Sequence, residues 1–418
     1  MKRTNLGLVL ISLLLILALA VNLTGCTKAS ATNLMDGITP NKPDLRVELN
    51  SQGPNVSDFA VRLFKACENN GENTLISPLS VLYALAMTAN GAVGETLSRM
   101  ETVLGMTVDE YNAYLYTYMN FLPDGDKNKL KLANSIWFND DDSFTVKQDF
   151  LQTNADYYGA DIYKSTFNDQ TCKEINGWVK EKTDGMITDV LKNLSPEAVM
   201  CLVNALAFEA EWAEVYAEHQ VEKDEFIKED GTKQHAEFMH GTERAYLEDE
   251  KSTGFIKKYK GGKYAFVAML PKDGISVSEY IASLDGKALN VLLSNPQDCT
   301  IHTSIPKFET GYDVEMRDVL KDMGMDKAFD SIEAEFEGLG TSAAGNIFIS
   351  SVLHKTYISV GEQGTKAGAA TAVIMDLGCV ETPQDTKEVY LDRPFVYMLV
   401  DCENNIPFFI GTMMDIEK

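Results

Sequence analysis

Gly361-Glu362-Gln363-Gly364-Thr365-Lys366-Ala367-Gly368-Ala369-Ala370-Thr371-Ala372-Val373 is the stretch whose reading decides the fold. Odd positions from Thr365 to Val373 read Thr, Ala, Ala, Thr, Val and suit a core, while the even set runs Lys366, Gly368, Ala370, Ala372. That is the period-two pattern of a strand with almost no side-chain bulk. Bulky side chains would resist sliding between two strands already paired. Gly and Ala raise almost no steric barrier, and backbone hydrogen bonds reward the insertion. A Gly/Ala-rich flexible loop is the other reading open to this composition.

What surrounds the stretch narrows the choice. After it come an irregular segment from Met375 to Lys387, the run Asp392-Arg393-Pro394-Phe395-Val396-Tyr397-Met398-Leu399-Val400, and Ile406-Pro407-Phe408-Phe409-Ile410-Gly411. This arrangement resembles the C-terminal signature of the serpins. Ser77-Pro78-Leu79-Ser80 through Gly91-Ala92-Val93-Gly94-Glu95-Thr96 resembles the N-terminal signature of that family. Between them, Leu132-Ala133-Asn134-Ser135-Ile136-Trp137-Phe138, Ile175-Asn176-Gly177-Trp178-Val179 with Thr183, and Leu202-Val203-Asn204-Ala205-Leu206-Ala207-Phe208 with Trp212 follow in the family's order.

The resemblance implies a protease inhibitor acting as a suicide substrate. A serine or cysteine protease cleaves an exposed reactive-centre loop near the C-terminus, and the covalent acyl-enzyme is trapped when the hinge inserts into the main sheet. Carried over by motif, the hinge is Glu362, Gly364, Thr365, Ala367, Gly368, Ala369, Ala370 and Thr371. A polar group at the point where the sheet parts is likewise Ser77, Ser80, Asn204 and His354. A non-inhibitory member whose loop is only a substrate, and a lipid-anchored solute-binding protein, are the competing readings.

Periodicity supports an α+β chain independently. Val56, Phe59, Ala60, Leu63, Phe64 and Cys67 recur at helical spacing, Ser77 can cap a buried helix over 79–88, and helices are predicted over 147–157, 173–182 and 277–293. Residues 264–270, 300–308 and 347–360 read as strands. Helices mainly in the N-terminal half and strand pairs without helix-length crossovers predict a large mixed or antiparallel central sheet with further sheets.

The N-terminus carries Lys2, Arg3, an apolar run from Leu6 to Val21 and Leu23-Thr24-Gly25-Cys26, which resembles a bacterial lipoprotein signal. Residues 1–25 are therefore expected to be removed, with Cys26 lipidated and the protein held outside the cytoplasm on the cell membrane or released extracellularly. Residues 26–53, rich in Ser, Thr, Asn, Asp and Pro, read as a flexible tether, and 54–418 as one domain. With 37 basic against 62 acidic residues the net charge is -25, which disfavours nucleic acid and anionic headgroups as partners. A monomer is expected. Cys67, Cys172, Cys201, Cys299, Cys379 and Cys402 are too far apart for a Cys-x-x-Cys metal site.

An enzyme is not expected. There are five histidines, with neither a His-Glu-x-x-His helix nor a Gly-x-Ser-x-Gly elbow. Gly338-Leu339-Gly340-Thr341-Ser342-Ala343 follows helix-like acidic residues and reads as a loop, and Gly262-Lys263 lacks the rest of a phosphate-binding motif. No metal or cofactor is expected. His354, inside an apolar strand, also reads simply as a core histidine satisfied by a neighbour.

In serpins the scissile bond usually lies 16 residues after the hinge glutamate, which puts it at Gly378–Cys379 if Glu362 is that residue. Counting back from Pro394 gives a bond after Pro383, because the loop is about five residues longer than usual. Trapping favours the earlier site, and Met375 or Leu377 would serve if the register slips. No Arg or Lys lies between Val373 and Asp385, so an elastase-like or subtilisin-like target is expected.

Overall fold

Every residue of the helix Pro78–Ala89 is buried, as a segment apolar on all sides requires. The computed structural model describes residues 31–69, 71–120, 128–140, 144–343, 345–365 and 386–417. In chain order the strands are β1 (Thr32–Asn33), β2 (Leu75–Ile76), β3 (Asn128–Asn139), β4 (Thr145–Val146), β5 (Asp161–Ser165), β6 (Met200–Glu211), β7 (Val221–Ile227), β8 (Lys233–Glu248) and β9 (Ser252–Lys258). They continue with β10 (Tyr264–Pro271), β11 (Gln297–Pro306), β12 (Phe308–Glu315), β13 (Gly340–Thr341), β14 (Ser351–Gly361), β15 (Gly364–Thr365), β16 (Thr386–Tyr390), β17 (Phe395–Asp401) and β18 (Ile406–Met413). Helices α1 (Leu49–Cys67), α2 (Pro78–Ala89), α3 (Gly94–Leu104), α4 (Val108–Asn120), α5 (Gln148–Tyr158) and α6 (Asp169–Lys182) precede β6. Among the described residues α7 (Val277–Ser283), α8 (Gly286–Ser294) and the single turn α9 (Arg317–Leu320) follow it, with short 3₁₀ and π turns besides.

The large mixed sheet runs β1-β5-β3-β6-β15-β14-β12. A second sheet runs β16-β11-β8-β9-β10-β17-β18-β2, with β7 paired to β8. Between these sheets lies the main core, into which α1 and α2 pack, and a smaller apolar cluster joins α6 to the other face of β3 and β6. The fold is therefore α+β, with the mixed central sheet that the strand pattern predicts.

Five local expectations change. Residues 31–53 are not a loose tether. β1 pairs antiparallel with β5, and Leu34 N–H donates to Ile162 O at 2.8 Å. Asn41 N–H reaches Asp156 Oδ1 at 2.7 Å, and Val47 N–H reaches Thr117 Oγ1 at 3.2 Å. The physical reason is the free edge of β5, whose backbone groups need partners, together with Leu34, Met35, Ile38 and Val47, which cover apolar surface. The body also starts earlier than residue 54, because α1 begins at Leu49 and carries Pro54 within it.

The helix predicted over 277–293 is two helices, since Asp285 accepts from Ala288 N–H and caps a new start. Gly286 there lies so close to α1 that a Cβ would meet Asp58 Cα at 2.3 Å. The strand predicted over 300–308 divides at Lys307 into β11 and β12. The one predicted from 347 begins at Ser351, because Ile349 N–H turns aside to Ala328 O.

A variant beginning at Leu49 should lose about 2–4 kcal/mol of stability, the worth of the half-buried apolar contacts of Leu34, Met35, Ile38 and Val47. Calorimetry would show a lower melting temperature; an unchanged one would mean the docked segment contributes nothing.

Candidate functional site

β6 and β14 lie side by side in parallel over Ser351–Thr356, with His354 opposite Asn204 and Ser351 opposite Cys201. Above this run the two strands part. The chain leaves β14 at Gly361, reverses through Glu362 and Gln363, and seats Gly364–Thr365 between them as β15. Thr365 is opposite Val360 on one side and Ala210 on the other, so the wedge is antiparallel to both neighbours. Gly364 is required here: its φ is +149°, and a Cβ would meet Ala210 O at 1.9 Å.

Three aromatic residues hold the reversal. Trp212 donates its backbone N–H to Gln363 O at 2.9 Å and its indole Nε1–H to Gly361 O at 2.8 Å. Tyr216 N–H donates to Glu362 O at 3.0 Å, and the Tyr259 hydroxyl shares a 2.5 Å hydrogen bond with Thr365 Oγ1. Trp212 stacks on Tyr259 with ring centroids 4.4 Å apart. Burial raises the Glu362 carboxyl, yet the 2.7 Å bond from Lys307 Nζ, the backbone N–H of Glu362 itself and the Lys307 charge together more than offset this and leave it below the usual range. Beside this corner a cavity of about 820 Å³ opens between Glu209, Glu309, Tyr357, Ser359 and Glu362.

Lower in the seam the structure brings Ser77, Ser80, Asn204 and His354 together, all fully buried. Ser77 caps α2 by accepting from Ser80 N–H, and its own N–H donates to His354 Nε2 at 3.0 Å. His354 Nδ1–H donates to Asn204 Oδ1, which also accepts from Ser80 Oγ at 3.3 Å. Asn204 Nδ2 has no partner among the described residues. Burial drives the His354 imidazole down to a pKa of about 3. The arrangement agrees, since Nε2 must stay bare to accept from Ser77.

Glu362, Gly364 and Thr365 thus sit in the clamp. Ala367, Gly368, Ala369, Ala370, Thr371, Gly378, Cys379 and Cys26 lie outside the described residues. Tyr259, Tyr216 and Lys307 were not legible as site residues, because each comes from a different turn or strand end with no shared spacing. Among the described residues no group of three or more His, Cys, Asp or Glu is placed to hold a metal. Cys67, Cys172, Cys201 and Cys299 are buried, and Cys402 is half-buried.

The family model for serpins, described as serine protease inhibitors, matches residues 54–416. The chain belongs to the serpin family. Serpins as a family are protease inhibitors. An uncharacterized serpin-like protein of Thermococcus kodakarensis is 29% identical over 368 residues, covering 86% of this chain and 84% of the relative. The native state of tengpin, a thermophilic serpin, is 46% identical and superposes with a TM-score of 0.88, covering 93% of this chain and 100% of the chain in that structure. Its latent state gives 0.78 at 44% identity, covering 89% and 100%. The fold here is thus more similar to the native than to the latent form of that relative.

Protonating His354 sets two donors face to face, so its contribution is complete above the free imidazole pKa of about 6.5 and falls as pH drops toward 3. At pH 5 the loss is about 2 kcal/mol. Native gels after mild heating should show monomer lost faster at pH 5 than at pH 7.5. His354→Ala should lose monomer fast at both pH values, and monomer retained as in the parent would refute the assignment.

Proposed function

We propose that this serpin inhibits its target as a suicide substrate, trapping an acyl-enzyme when the hinge inserts between β6 and β14. The observation that carries this reading is the seated wedge Gly364–Thr365, already paired on both sides. Insertion would be the zipping-up of a strand whose first two residues are in place. Loop insertion by serpins is a general example of strand addition, and the register here dictates which residues would meet.

Continuing the observed register sets residue 371 opposite both Asn204 and His354, and residue 374 opposite Cys201 and Ser351. Thr365 faces the main core, so Ala367, Ala369, Thr371 and Val373 would face it as well. Thr371 would bring a hydroxyl to the unpartnered Asn204 Nδ2 as the His354–Asn204 bond is given up. The even positions would face α6, where Gly368, Ala370 and Ala372 must pass Ala207, Ala205 and Val203. Lys366, the one charged residue of the set, would come to Glu209 and Ser359 at the rim of the cavity, clear of that helix. Residue size and charge thus match their destinations position by position, which a loop serving only as a substrate would not need.

Insertion to about residue 375, with the extended residues just beyond it, would carry Gly378 roughly 46 Å from Thr365. Carrying an acylated protease that far would pull on its oxyanion hole and triad, whose placement deacylation depends on. We assign the bond to Gly378–Cys379 and the target to an elastase-like or subtilisin-like serine protease. On this reading the molecule is an inhibitor without catalytic residues of its own. It is held extracytoplasmically by lipid on Cys26, for which the N-terminal segment is the support.

Incubation with such a protease should give a complex that survives SDS, with mass spectrometry placing the cut at 378–379. Ala370→Arg should raise the molar ratio needed for full inhibition about tenfold or more, by jamming the strand under α6. A fully inhibitory Ala370→Arg variant, or a cut beyond Thr382, would overturn the assigned path. Cys26→Ser should move the protein out of the membrane fraction; unchanged partitioning would remove the lipid anchor.

A further inference from the structure

Behind the hinge clamp sits a charge that the trapping reading does not use. Lys257, on β9, is only 4% exposed, the one lysine buried to that degree among the described residues. Its Nζ lies 4.4 Å from the Tyr216 ring centroid and 5.4 Å from that of Trp212, and it pairs with Glu243 of β8 at 2.7 Å. These two rings belong to the residues whose N–H groups hold the carbonyls of Gly361, Glu362 and Gln363.

From these contacts the geometry points to Lys257 as a positioning residue for the hinge: its ammonium, aimed by Glu243, fixes the Trp212 and Tyr216 rings, which follow directly on β6, and thereby the rate at which β6 parts from β14 to admit the strand. An apolar residue of similar length would fill the site without desolvating a charge, and a buried ion pair is often no better for stability than such a replacement. Two aromatic faces around one ammonium instead give an orientation-dependent attraction, strongest where water is excluded. Parting β6 from β14 below the seated wedge must shift Trp212 or Tyr216 against β9, and each shift breaks a cation–ring contact. The inference rests on hinge insertion as the working step.

The test uses an acetylated peptide copying residues 365–378, whose uptake by the intact protein is followed on native gels. Lys257→Met and Tyr216→Leu should each take up the peptide about tenfold faster than the parent, the second while keeping both the ion pair and the backbone bond to Glu362. The double variant Lys257→Met with Glu243→Met leaves no unpaired charge and should be equally fast, with a peptide-filled form that melts as the parent's does. Variant rates within twofold of the parent would overturn the role, as would a peptide-filled double variant that melts well below the parent, since that marks plain packing. A parent that takes up no peptide at all would instead sink the insertion reading, and this inference with it.

Discussion

The direct pairing of β6 with β14 is the constraint on which the rest of the molecule depends. Over Ser351–Thr356 the two strands form a single parallel ladder, and above it they are wedged apart by two residues of β15. A parallel pair is slightly weaker per residue than an antiparallel one. A strand laid between them would replace that one ladder with two antiparallel ladders. The folded state is thus a sheet with a place left open in it, and the segment that fits the place begins at its mouth.

Such a seam has to hold without being welded, and its chemistry is suited to that. An apolar seam of interlocked side chains would lose close packing as it opened. The polar group of Ser77, Ser80, Asn204 and His354 can instead exchange one hydrogen-bond partner for another. His354 is neutral, with one nitrogen donating to Asn204 and the other accepting from Ser77, so the sheet is tied to the cap of α2 through a single ring. That links the seam to a helix buried along its whole length, which cannot shift cheaply.

Much of this was legible in the residues, for identifiable reasons. The alternation from Thr365 to Val373 pointed to a strand with one face on the core, and Thr365 does face the core, against Tyr259. Ser77 was readable as a cap because an N-cap serine before proline is a local signal. The docking of residues 31–47 was not, because a two-residue strand on an exposed edge has no periodicity to detect and its partners lie more than a hundred residues away. The aromatic clamp was hidden for a similar reason. Tyr216, Tyr259 and Lys307 become neighbours only when separate parts of the chain converge on the turn from Glu362 to Thr365, and nothing in their spacing announces it.

Why the intact chain keeps β6 and β14 paired directly over Ser351–Thr356 follows from connectivity. With 365 opposite Ala210 and 374 opposite Cys201, a fully inserted strand ends near residue 375, some ten steps or about 33 Å down the sheet. The chain must still return to Thr386, which is fixed beside Thr300 in the other sheet. Residues 375–385 reach at most about 36–40 Å when fully extended. The return must be made by those eleven residues alone, and the conformational freedom lost in stretching them opposes insertion. Cutting the chain within that return segment removes the opposition at once. A cut at 378–379 leaves three residues below the inserted strand, whereas a cut after Pro383 leaves five more, about 16 Å of slack through which an attached protease could recover its geometry. The length of the return segment thus restrains insertion before cleavage, and the position of the cut within it decides whether the strain reaches the enzyme.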